Sequence, residues 1–387
     1  MSEWKKVKLR DCCLKIGSGS TPKGGSTVYV ESGTSFIRSQ NVYNLSFDYN
    51  GLTHITEDAA NKLNGVTIFN DDILLNITGD SVARTCIVPN DVLPARVNQH
   101  VAIVRADCKM INSRFLNYYL ASPGMQAHML SLAVGKGASR NAMTKQMIEN
   151  FEVPCPSLST QHHIATILSR YDSLIENYLK QIKLLEEAAQ RLYKEWFVDL
   201  NFPGHENTKI VDGVPEGWKK KKVGEITPIK TGKKDANFGT VDGSYPFFTC
   251  SQEPIKAPSY SFDTSAVILA GNGDFNVKLY RGKFEAYQRT YVLEPTNEKM
   301  LYLLYFCISE NMNRLATGAS GSTIKFLTKG MIESLVINKP STIVLDSFNQ
   351  IIEPIRTQKE NLQTQIRLLT EARDRLLPKL MSGEIKA

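Results

Sequence analysis

The sequence has few cysteines and no long apolar segment. Its 7 cysteines lie scattered without a Cys-x-x-Cys pair, which is typical of free thiols in a reducing cytosol. The longest apolar run is the nine residues that begin at Met300, whereas a membrane-spanning helix needs about 20. The charged N-terminal residues lead into no apolar stretch, so no signal peptide is expected. These absences favour a cytoplasmic protein that does not enter the membrane.

The motifs of several enzyme classes are also missing. The sequence contains no P-loop string, no Asn-Pro-Pro-Tyr/Phe string of an amino-methyltransferase, no zinc-binding His-Glu-x-x-His and no Gly-x-Ser-x-Gly elbow. The glycine-rich segment 17–25 lacks the Lys-Ser/Thr ending of a phosphate loop and is interpreted as an ordinary loop. Asp274 and Glu285, with Tyr287 nearby, faintly resemble a nuclease carboxylate pair, but the lysine that such sites use is absent. We therefore expect no catalytic residue, metal or cofactor in this chain.

What is present is an ordinary globular composition with a mild excess of positive charge. The 387 residues are 42% hydrophobic and 22% charged, which indicates a soluble protein of two or three domains. The net charge of +7 is compatible with nucleic-acid binding but does not establish it.

An internal repeat organises the chain. The segment TKQMIE at 144–149 recurs as TKGMIE at 328–333, 184 residues later. In the same register, residues 181–197 and 365–381 share eight of seventeen residues. Upstream of these segments the match weakens and the offset drifts. The sequence therefore predicts two copies of one unit, each a divergent globular domain followed by a better-matched helix; a coincidence between short apolar strings is the alternative.

A seven-residue apolar pattern, typical of a coiled-coil helix, follows each globular segment. In the first copy its two seams are Ile164, Tyr171, Tyr178, Leu185 and Leu192, and Leu168, Ile175, Ile182, Ala189 and Trp196. In the second copy they are Phe348, Ile355, Leu362, Leu369 and Leu376, and Ile352, Lys359, Ile366, Arg373 and Leu380. We expect Lys359 and Arg373 to snorkel at the seam edge, Pro354 to kink or divide the second helix, and Pro378 to end or bend its last turn.

Each apolar stripe must be covered by another surface. The simplest solution is that the two long helices pack on each other, antiparallel if a pseudo-two-fold axis relates the copies. The alternative is that each helix packs only on its own domain.

The globular segments alternate short apolar or β-branched runs with clusters of Gly, Ser, Thr and Asn, which favours strands and loops. Each also contains one plausible helix, near residues 112–132 and 298–314. The expected fold is α+β: two mixed α/β domains separated by two long antiparallel helices. The predicted boundaries are 1–157 for the first domain, 158–200 for the central helix, 201–217 for a linker, 218–340 for the second domain and 341–387 for the C-terminal helix.

Two features of the domains are suited to DNA. Each domain opens with a tryptophan and a run of basic residues, which neutralise phosphates without reading sequence, although lysines that guard an edge strand would look the same. Arg, Asn and Gln in the loops match the side chains that pair with guanine and adenine in the major groove. The candidate DNA-binding residues are Arg38, Gln40, Arg84, Asn98, Gln99, His100, Lys136, Arg140, Asn141, Lys233, Lys234, Gln252, Asn272, Asn276, Gln288, Arg289, Ser320, Ser322 and Lys325.

Several strings resemble one known family. RDRLLPKLMSGEI at 373–385, EWFVDLNFPGH at 195–205 and VPEGWK at 214–219 are similar to the specificity (S) subunit of type I restriction-modification systems. The two TKxMIE segments and VNQHV at 97–101 match the same family, so the resemblance runs along the whole chain in order. No family motif identifies the residues that read bases here, so the candidate list depends on the loop argument alone.

The resemblance implies a function and a set of partners. Two target recognition domains would each read one half of a split, asymmetric site in double-stranded DNA. The subunit would carry no active site and would hold two methyltransferase (M) subunits and recruit restriction (R) subunits. S-adenosylmethionine, ATP and Mg²⁺ would belong to those partner subunits. The alternatives are a coiled-coil scaffold whose domains bind protein or RNA, and a nuclease that uses Asp274 and Glu285.

Overall fold

The computed structural model describes residues 4–134, 141–321 and 325–385. The chain divides into two compact units. Unit 1 comprises Met1–Leu179 together with Thr364–Ala387, and unit 2 comprises Lys180–Gln363. Each long helix therefore contributes one part of its length to each unit.

Unit 1 contains two main sheets. An antiparallel four-stranded sheet has the order Thr85–Ile87, Ile73–Asn76, Val101–Ala106, Cys13–Ser18. A five-stranded sheet has the order Tyr29–Val30, Thr53–Ile55, Thr34–Ile37, Ala95–Val97, Thr67–Ile68, and only its pairing of Thr34–Ile37 with Ala95–Val97 is parallel. A short ribbon joins Val42–Tyr43 to Ser46–Phe47. The apolar runs DILLNI and VAIVRA form central strands, as strand-like sequences should.

Unit 2 is built on one six-stranded sheet. Its order is Ile229–Thr231, Thr290–Leu293, Phe262–Ala270, Val277–Ala286, Tyr245–Phe248, Ile255–Ala257. The pairing of Tyr245–Phe248 with Val277–Ala286 is parallel and the others are antiparallel. Together the two units have the mixed α/β character that the sequence predicts.

The lysine-rich strand that opens each copy pairs with the strand that precedes the long helix. The paired strands are Lys6–Lys8 with Glu152–Pro154 in unit 1, and Lys219–Lys222 with Val336–Lys339 in unit 2. Lys6 lies opposite Pro154, and Lys220 lies opposite Asn338. The two lysines are 214 residues apart in the sequence, and their partners Pro154 and Asn338 are 184 residues apart, which is the offset of the repeat. The repeat therefore preserves a strand register as well as a sequence.

Where the sequence predicts one helix in each globular segment, the structure has two. They are Ser113–Ala121 and Pro123–Ala133 in unit 1, and Leu301–Glu310 and Met312–Gly318 in unit 2. Pro123 is the first residue of its helix, and a proline keeps the residue before it out of the helical region. In unit 2 the Asn311 side chain donates to the Cys307 carbonyl at 2.8 Å, so it caps the preceding helix instead of continuing it. Shorter helices span Leu9–Cys12, Glu57–Lys62, Lys145–Glu149, Val223–Ile226 and Lys329–Glu333.

The two long helices follow the predicted heptads. The first is Leu158–Tyr193, extended by a π-helical turn at Lys194–Val198, and the second is Thr342–Met381. All twenty predicted seam residues are buried or half-buried. In the described ranges, no helix combines the length and apolar composition needed to span a bilayer.

Pro354 does not divide the second helix, which continues across both Pro354 and Pro378. Of the two expected effects of Pro354, a kink or a division, the division is therefore wrong. A proline removes one backbone hydrogen bond from a helix. Phe348 and Ile352 before Pro354, and Leu362 after it, are almost completely buried, so packing holds the helix on both sides of the missing bond.

The long helices pack on each other inside each unit. In unit 1, Ile164 and Leu168 share one apolar core with Leu377 and Leu380. In unit 2, Ala189 and Trp196 share a core with Phe348 and Ile352. If each helix packed only on its own domain, these residues would not share a core. The alternative of separate packing is therefore not favoured.

The two charged seam residues form ion pairs with carboxylates of the other long helix. Arg373 Nη1 lies 2.7 Å from Asp172 Oδ1 in unit 1, and the Lys359 ammonium pairs with Glu186 in unit 2. Tyr118 also donates its hydroxyl proton to Asp172, and burial raises the pKa of this tyrosine above its usual range. In each pair the carboxylate belongs to the first long helix and the cation to the second. The heptad pattern of one helix does not identify a partner on the other.

Replacing Arg373 is expected to destabilise unit 1. The side chains of Arg373 and Asp172 are 13% and 25% exposed, and Arg373→Met would leave the carboxylate without its cation. We expect a loss of about 2–3 kcal/mol in the free energy of unfolding, measured by urea denaturation of the full chain. The matched control is Arg367→Met, which removes an exposed pair with Glu371 and should cost about 0.5 kcal/mol or less. Equal losses in the two variants would contradict this role for Arg373.

Segment 201–217 carries a hairpin of Ile210–Val211 with Val214–Pro215. Its Phe202 ring lies 4.8 Å from the Trp218 ring, and Phe197 packs edge-on against Phe348 at 4.8 Å. This aromatic cluster fixes the segment that leads into the globular part of unit 2.

Candidate nucleic-acid interface

Two strands of unit 1 end, and a third begins, at the same edge of their sheet. Ser18 lies opposite Ala102, and Asn76 lies opposite Val101, so the loops beside these residues leave the sheet together. A fourth segment joins them, because the Met143 N–H donates to the Ile77 carbonyl at 2.8 Å. We call residues 19–21, 77–79, 98–100 and 141–143 loop edge 1.

Unit 2 has the same arrangement. The Leu327 N–H donates to the Gly271 carbonyl at 2.8 Å, and the Gly271 N–H donates to the Arg289 carbonyl at 2.9 Å. The equivalent bonds in unit 1 run from Met143 to Ile77 at 2.8 Å and from Ile77 to His100 at 3.0 Å. We call residues 232–234, 271–273, 287–289 and 325–327 loop edge 2. The repeat thus places two similar loop edges on one kind of backbone frame.

A glycine makes each loop edge possible. A Cβ at Gly19 would lie 2.0 Å from the Val97 oxygen, and a Cβ at Gly232 would lie 1.9 Å from the Ala286 oxygen. Non-bonded carbon and oxygen atoms cannot approach this closely, so any side chain would push the loops apart. Both glycines are therefore required by the close approach of two backbone segments.

Gly19→Ala is expected to destabilise unit 1. The added methyl group meets backbone, which cannot rotate away, so we expect a loss of about 1–3 kcal/mol of stability, measured by thermal or urea unfolding. Gly17→Ala is the matched control, because a Cβ at Gly17 meets nothing within 4 Å on the same strand. A Gly17 variant as unstable as the Gly19 variant would show that strand flexibility, not the close approach, explains the glycine.

The structure brings many of the predicted residues together at the two loop edges and leaves others apart. At loop edge 1 lie Asn98, Gln99, His100 and Asn141. At or beside loop edge 2 lie Lys233, Lys234, Asn272, Gln288, Arg289, Ser320 and Lys325. Arg84 and Asn276 lie next to the edges, because the Arg84 carbonyl accepts the Asn76 N–H at 2.8 Å and the Asn276 carbonyl accepts the Ala270 N–H at 2.9 Å. Arg38 follows Ile37, whose carbonyl accepts the Asn98 N–H at 3.0 Å. Gln40 and Gln252 lie outside the residue ranges that define the two edges. Lys136, Arg140 and Ser322 lie outside the described residues.

Several predicted residues have their side chains engaged in holding loops. Asn98 is 7% exposed and accepts the His100 N–H at 3.1 Å. Asn276 donates to the carbonyls of Cys250 at 3.2 Å and Asp274 at 2.6 Å. Arg38 donates to the Gly51 carbonyl at 2.7 Å. These side chains shape the loops from within, a role that composition alone does not separate from DNA contact.

The exposed side chains of the two edges differ. At loop edge 1, Thr78 Oγ1 lies 2.6 Å from His100 Nδ1, and Gln99 Nε2 lies 3.2 Å from His100 Nε2. At loop edge 2, Gln288 donates to Asp235 Oδ1 at 2.6 Å. His100 and Arg289 occupy equivalent positions, since each carbonyl accepts the equivalent backbone N–H. The same frame therefore presents an imidazole in one unit and a guanidinium in the other.

Loop edge 2 is the more positive of the two among the described residues. It carries Lys233, Lys234, Arg289 and Lys325 beside Asp235. Lys278 is not one of the residues that define loop edge 2, and burial lowers the pKa of its ammonium, although Glu253 opposes the shift. Lys278 donates to the Ser251 carbonyl at 2.9 Å and so supports a loop.

The sequence reasoning missed Phe326, which is 38% exposed at loop edge 2. Phe326 pairs with Asn272, as Ala142 pairs with Thr78 in unit 1. The signal was available, because the offset of 184 that aligns the two TKxMIE segments also aligns Phe326 with Ala142.

The structure gives no support to the nuclease alternative. Glu285 is fully buried, and its carboxylate accepts bonds from the Ser261 hydroxyl at 2.7 Å and the Ala286 N–H at 3.0 Å. A carboxylate held in this way cannot reach a phosphate or a metal at the surface. Across the described ranges, no group of three or more His, Cys, Asp or Glu residues is placed to hold a metal ion.

Comparisons with known proteins agree with this architecture. A family model described as the type I restriction modification DNA specificity domain matches residues 1–187 and 215–364. The type I restriction enzyme EcoDI specificity subunit of Escherichia coli is 39% identical over 176 residues, which cover 44% of this chain and 39% of that protein. The MjaIX specificity subunit of Methanocaldococcus jannaschii is 25% identical over 99% of this chain and 94% of that protein.

The fold has a counterpart among solved structures. The S subunit of a type I restriction-modification system from M. genitalium superposes with a TM-score of 0.60 at 16% identity, over 97% of this chain and 96% of that one. At this identity the likeness concerns the fold alone.

Proposed function

Because the chain belongs to the type I restriction-modification DNA specificity family, we propose that it is the specificity subunit that reads a split, asymmetric DNA site for a type I complex. Residues 1–157 and 218–340 would be its target recognition domains. Each domain would read one half-site with its own loop edge.

The observation that carries this proposal is the pair of loop edges. Their backbone hydrogen bonds correspond, and each depends on a glycine at the same place. Their side chains do not correspond, with half-buried His100 and exposed Ala142 in one unit and exposed Arg289 and Phe326 in the other. A backbone frame that is shared by the two units and carries different side chains is suited to reading two different sequences. The reason is that bases are distinguished by side-chain donors and acceptors in the major groove.

We propose further that the long helices form one antiparallel coiled coil related by the pseudo-two-fold of the repeat. Within unit 2, Glu186 pairs with Lys359 and the Trp196 ring contacts the Phe348 ring at 5.9 Å. Residue numbers rise on one helix as they fall on the other. The Asp172–Arg373 pair in unit 1 has the same sum of residue numbers, 545, as the Glu186–Lys359 pair, which supports a single register.

The catalytic steps would take place in other chains. Two methyltransferase subunits would methylate adenine with S-adenosylmethionine, and restriction subunits would use ATP and Mg²⁺. This chain would supply double-stranded DNA recognition and a scaffold, and would act in the cytoplasm. The buried carboxylate of Glu285 supports a non-catalytic role.

Mapping methylated adenines in cells tests this function. Cells that carry this chain with its methyltransferase subunits are expected to methylate a motif of two defined parts separated by an undefined gap. Cells with the methyltransferase subunits alone are the control and should show no such motif. An identical methylation pattern with and without this chain would refute the proposal.

Salt dependence separates the proposal from a protein-binding or RNA-binding scaffold. Duplex binding by the full chain with its methyltransferase should weaken steeply as salt rises, with a slope of about −0.9 on a log–log plot for each phosphate contacted. Binding that prefers RNA or a protein partner, or that ignores salt, would favour the scaffold instead.

A further inference from the structure

Loop edge 2 contains a cavity of about 450 Å³ that has the residues of a base-reading site. Its walls include Gln288, Arg289, Tyr291, Phe326 and Lys329. The cavity lies where strands, loops and the segment before the second TKxMIE motif meet, on the side of unit 2 that the proposed function directs at DNA.

Most polar groups of this cavity are already engaged. Gln288 donates to Asp235 at 2.6 Å, Tyr291 donates its hydroxyl proton to the Leu327 carbonyl at 2.8 Å, and Lys329 pairs with Glu333 at 3.5 Å. Arg289 is different, since its guanidinium has no hydrogen bond or ion pair with any residue that the structure describes. The five N–H donors of its guanidinium are therefore uncommitted within the described residues.

The backbone under Arg289 is held firmly. Its carbonyl accepts the Gly271 N–H at 2.9 Å, and a Cβ on Gly271 would lie 2.3 Å from that carbonyl oxygen. A fixed backbone with an uncommitted guanidinium loses little conformational freedom of the main chain when it binds a ligand. This arrangement is suited to recognition rather than to structural support.

The surroundings favour a base over a phosphate. Phe326 exposes an aromatic ring on the cavity wall, and an apolar ring adds nothing to a phosphate contact, whereas it packs well against a base. Loop edge 2 also carries Lys233, Lys234 and Lys325, which can neutralise phosphates without Arg289. Among bases, guanine presents O6 and N7 to a two-pronged donor such as arginine.

We propose that Arg289 reads a guanine in the half-site of unit 2, donating to O6 and N7 in the major groove while Phe326 forms the apolar wall of the pocket. This proposal rests on the proposed function and makes it specific. Unit 1 would read its own half-site differently, because the equivalent His100 is engaged by Thr78 and Gln99 and Ala142 replaces the ring.

The test uses the full chain in complex with its methyltransferase and a set of duplexes in which each base pair of the mapped motif is changed in turn. Arg289→Ala should lower discrimination about 5- to 140-fold at one guanine of one half-site and leave the other half-site unchanged. Arg289→Gln should shift the preference at that position towards adenine, which pairs with glutamine. His100→Ala is the matched control and should affect only the other half-site.

An atom-level probe completes the test. Replacing that guanine with 7-deazaguanine removes the N7 acceptor, so it should weaken binding by the unchanged chain and have no effect on Arg289→Ala. A uniform loss of affinity for all duplexes, with a shallower salt dependence, would identify a phosphate contact and overturn the proposal. Unchanged discrimination in Arg289→Ala would also overturn it while leaving the proposed function intact. If the unchanged chain selects no motif at all, the proposed function itself fails.

Discussion

Replacing residues 1–157 with the first recognition domain of another family member is expected to change one half of the methylated motif completely and leave the other half unchanged. The reason is that each loop edge is built from strands and loops of its own unit. The readout is the motif of methylated adenines in cells that carry the hybrid chain with its methyltransferase.

The structure sets a condition on this hybrid. Tyr118 bonds to Asp172, and the core of unit 1 includes Leu377 and Leu380 of the second long helix. The incoming domain must therefore keep an equivalent of Tyr118 and an apolar surface for that helix. The matched control replaces 218–340 and should change the opposite half-site. If either replacement altered both halves together, independent reading by the two domains would be ruled out.

Lengthening both long helices by one heptad is expected to widen the gap between the half-sites. Glu186 pairs with Lys359, so insertions after Glu186 and after Gln358 keep the facing residues matched. Seven residues add about 10 Å. At about 3.4 Å per base pair, the gap should grow by up to about three pairs. DNA turns by about 100° over three pairs, while a heptad drifts only about 20°, so reduced activity should accompany the longer gap.

Two controls make this experiment specific. A heptad inserted after Glu186 alone leaves the extra turn without a partner and should cost more activity than the matched pair of insertions. Four residues inserted in both helices break the seam and should cost the most. A motif that keeps its gap at full activity after the matched insertion would mean that the methyltransferase subunits, rather than these helices, set the spacing.

Local periodicity made the long helices predictable. All twenty seam positions are buried or half-buried, because a seven-residue apolar repeat leaves a helix only one face to cover. The expected division at Pro354 did not occur, because burial of Phe348, Ile352 and Leu362 outweighs one lost hydrogen bond. Periodicity also did not identify the ion-pair partners of Lys359 and Arg373, which lie on the other long helix.

The candidate site was only partly predictable. Polar composition selected His100 and Arg289, which lie at equivalent positions of loop edges 1 and 2, but it also selected Asn98 and Asn276, whose side chains hold loops from within. Composition counts donors and acceptors without showing which of them are already satisfied by the fold. The polar criterion also missed Phe326, because an aromatic residue in a sequence is normally assigned to the hydrophobic core.

By itself the sequence determined the repeat, the two long helices and their seams, the alternation of strands and loops, and the family. These follow from local spacing and from strings of adjacent residues. Only the tertiary structure decided that residues near 19, 78, 99 and 142 meet at one edge, and that their counterparts meet at another. Strand pairing between distant segments brings these loops together, and the tight approach at Gly19 and Gly232 holds them there. The tertiary structure also decided that Arg373 is paired with Asp172, whereas Arg289 has no ion pair among the described residues. The partner of a charged side chain depends on which segments the fold brings next to it, and not on its position in the sequence.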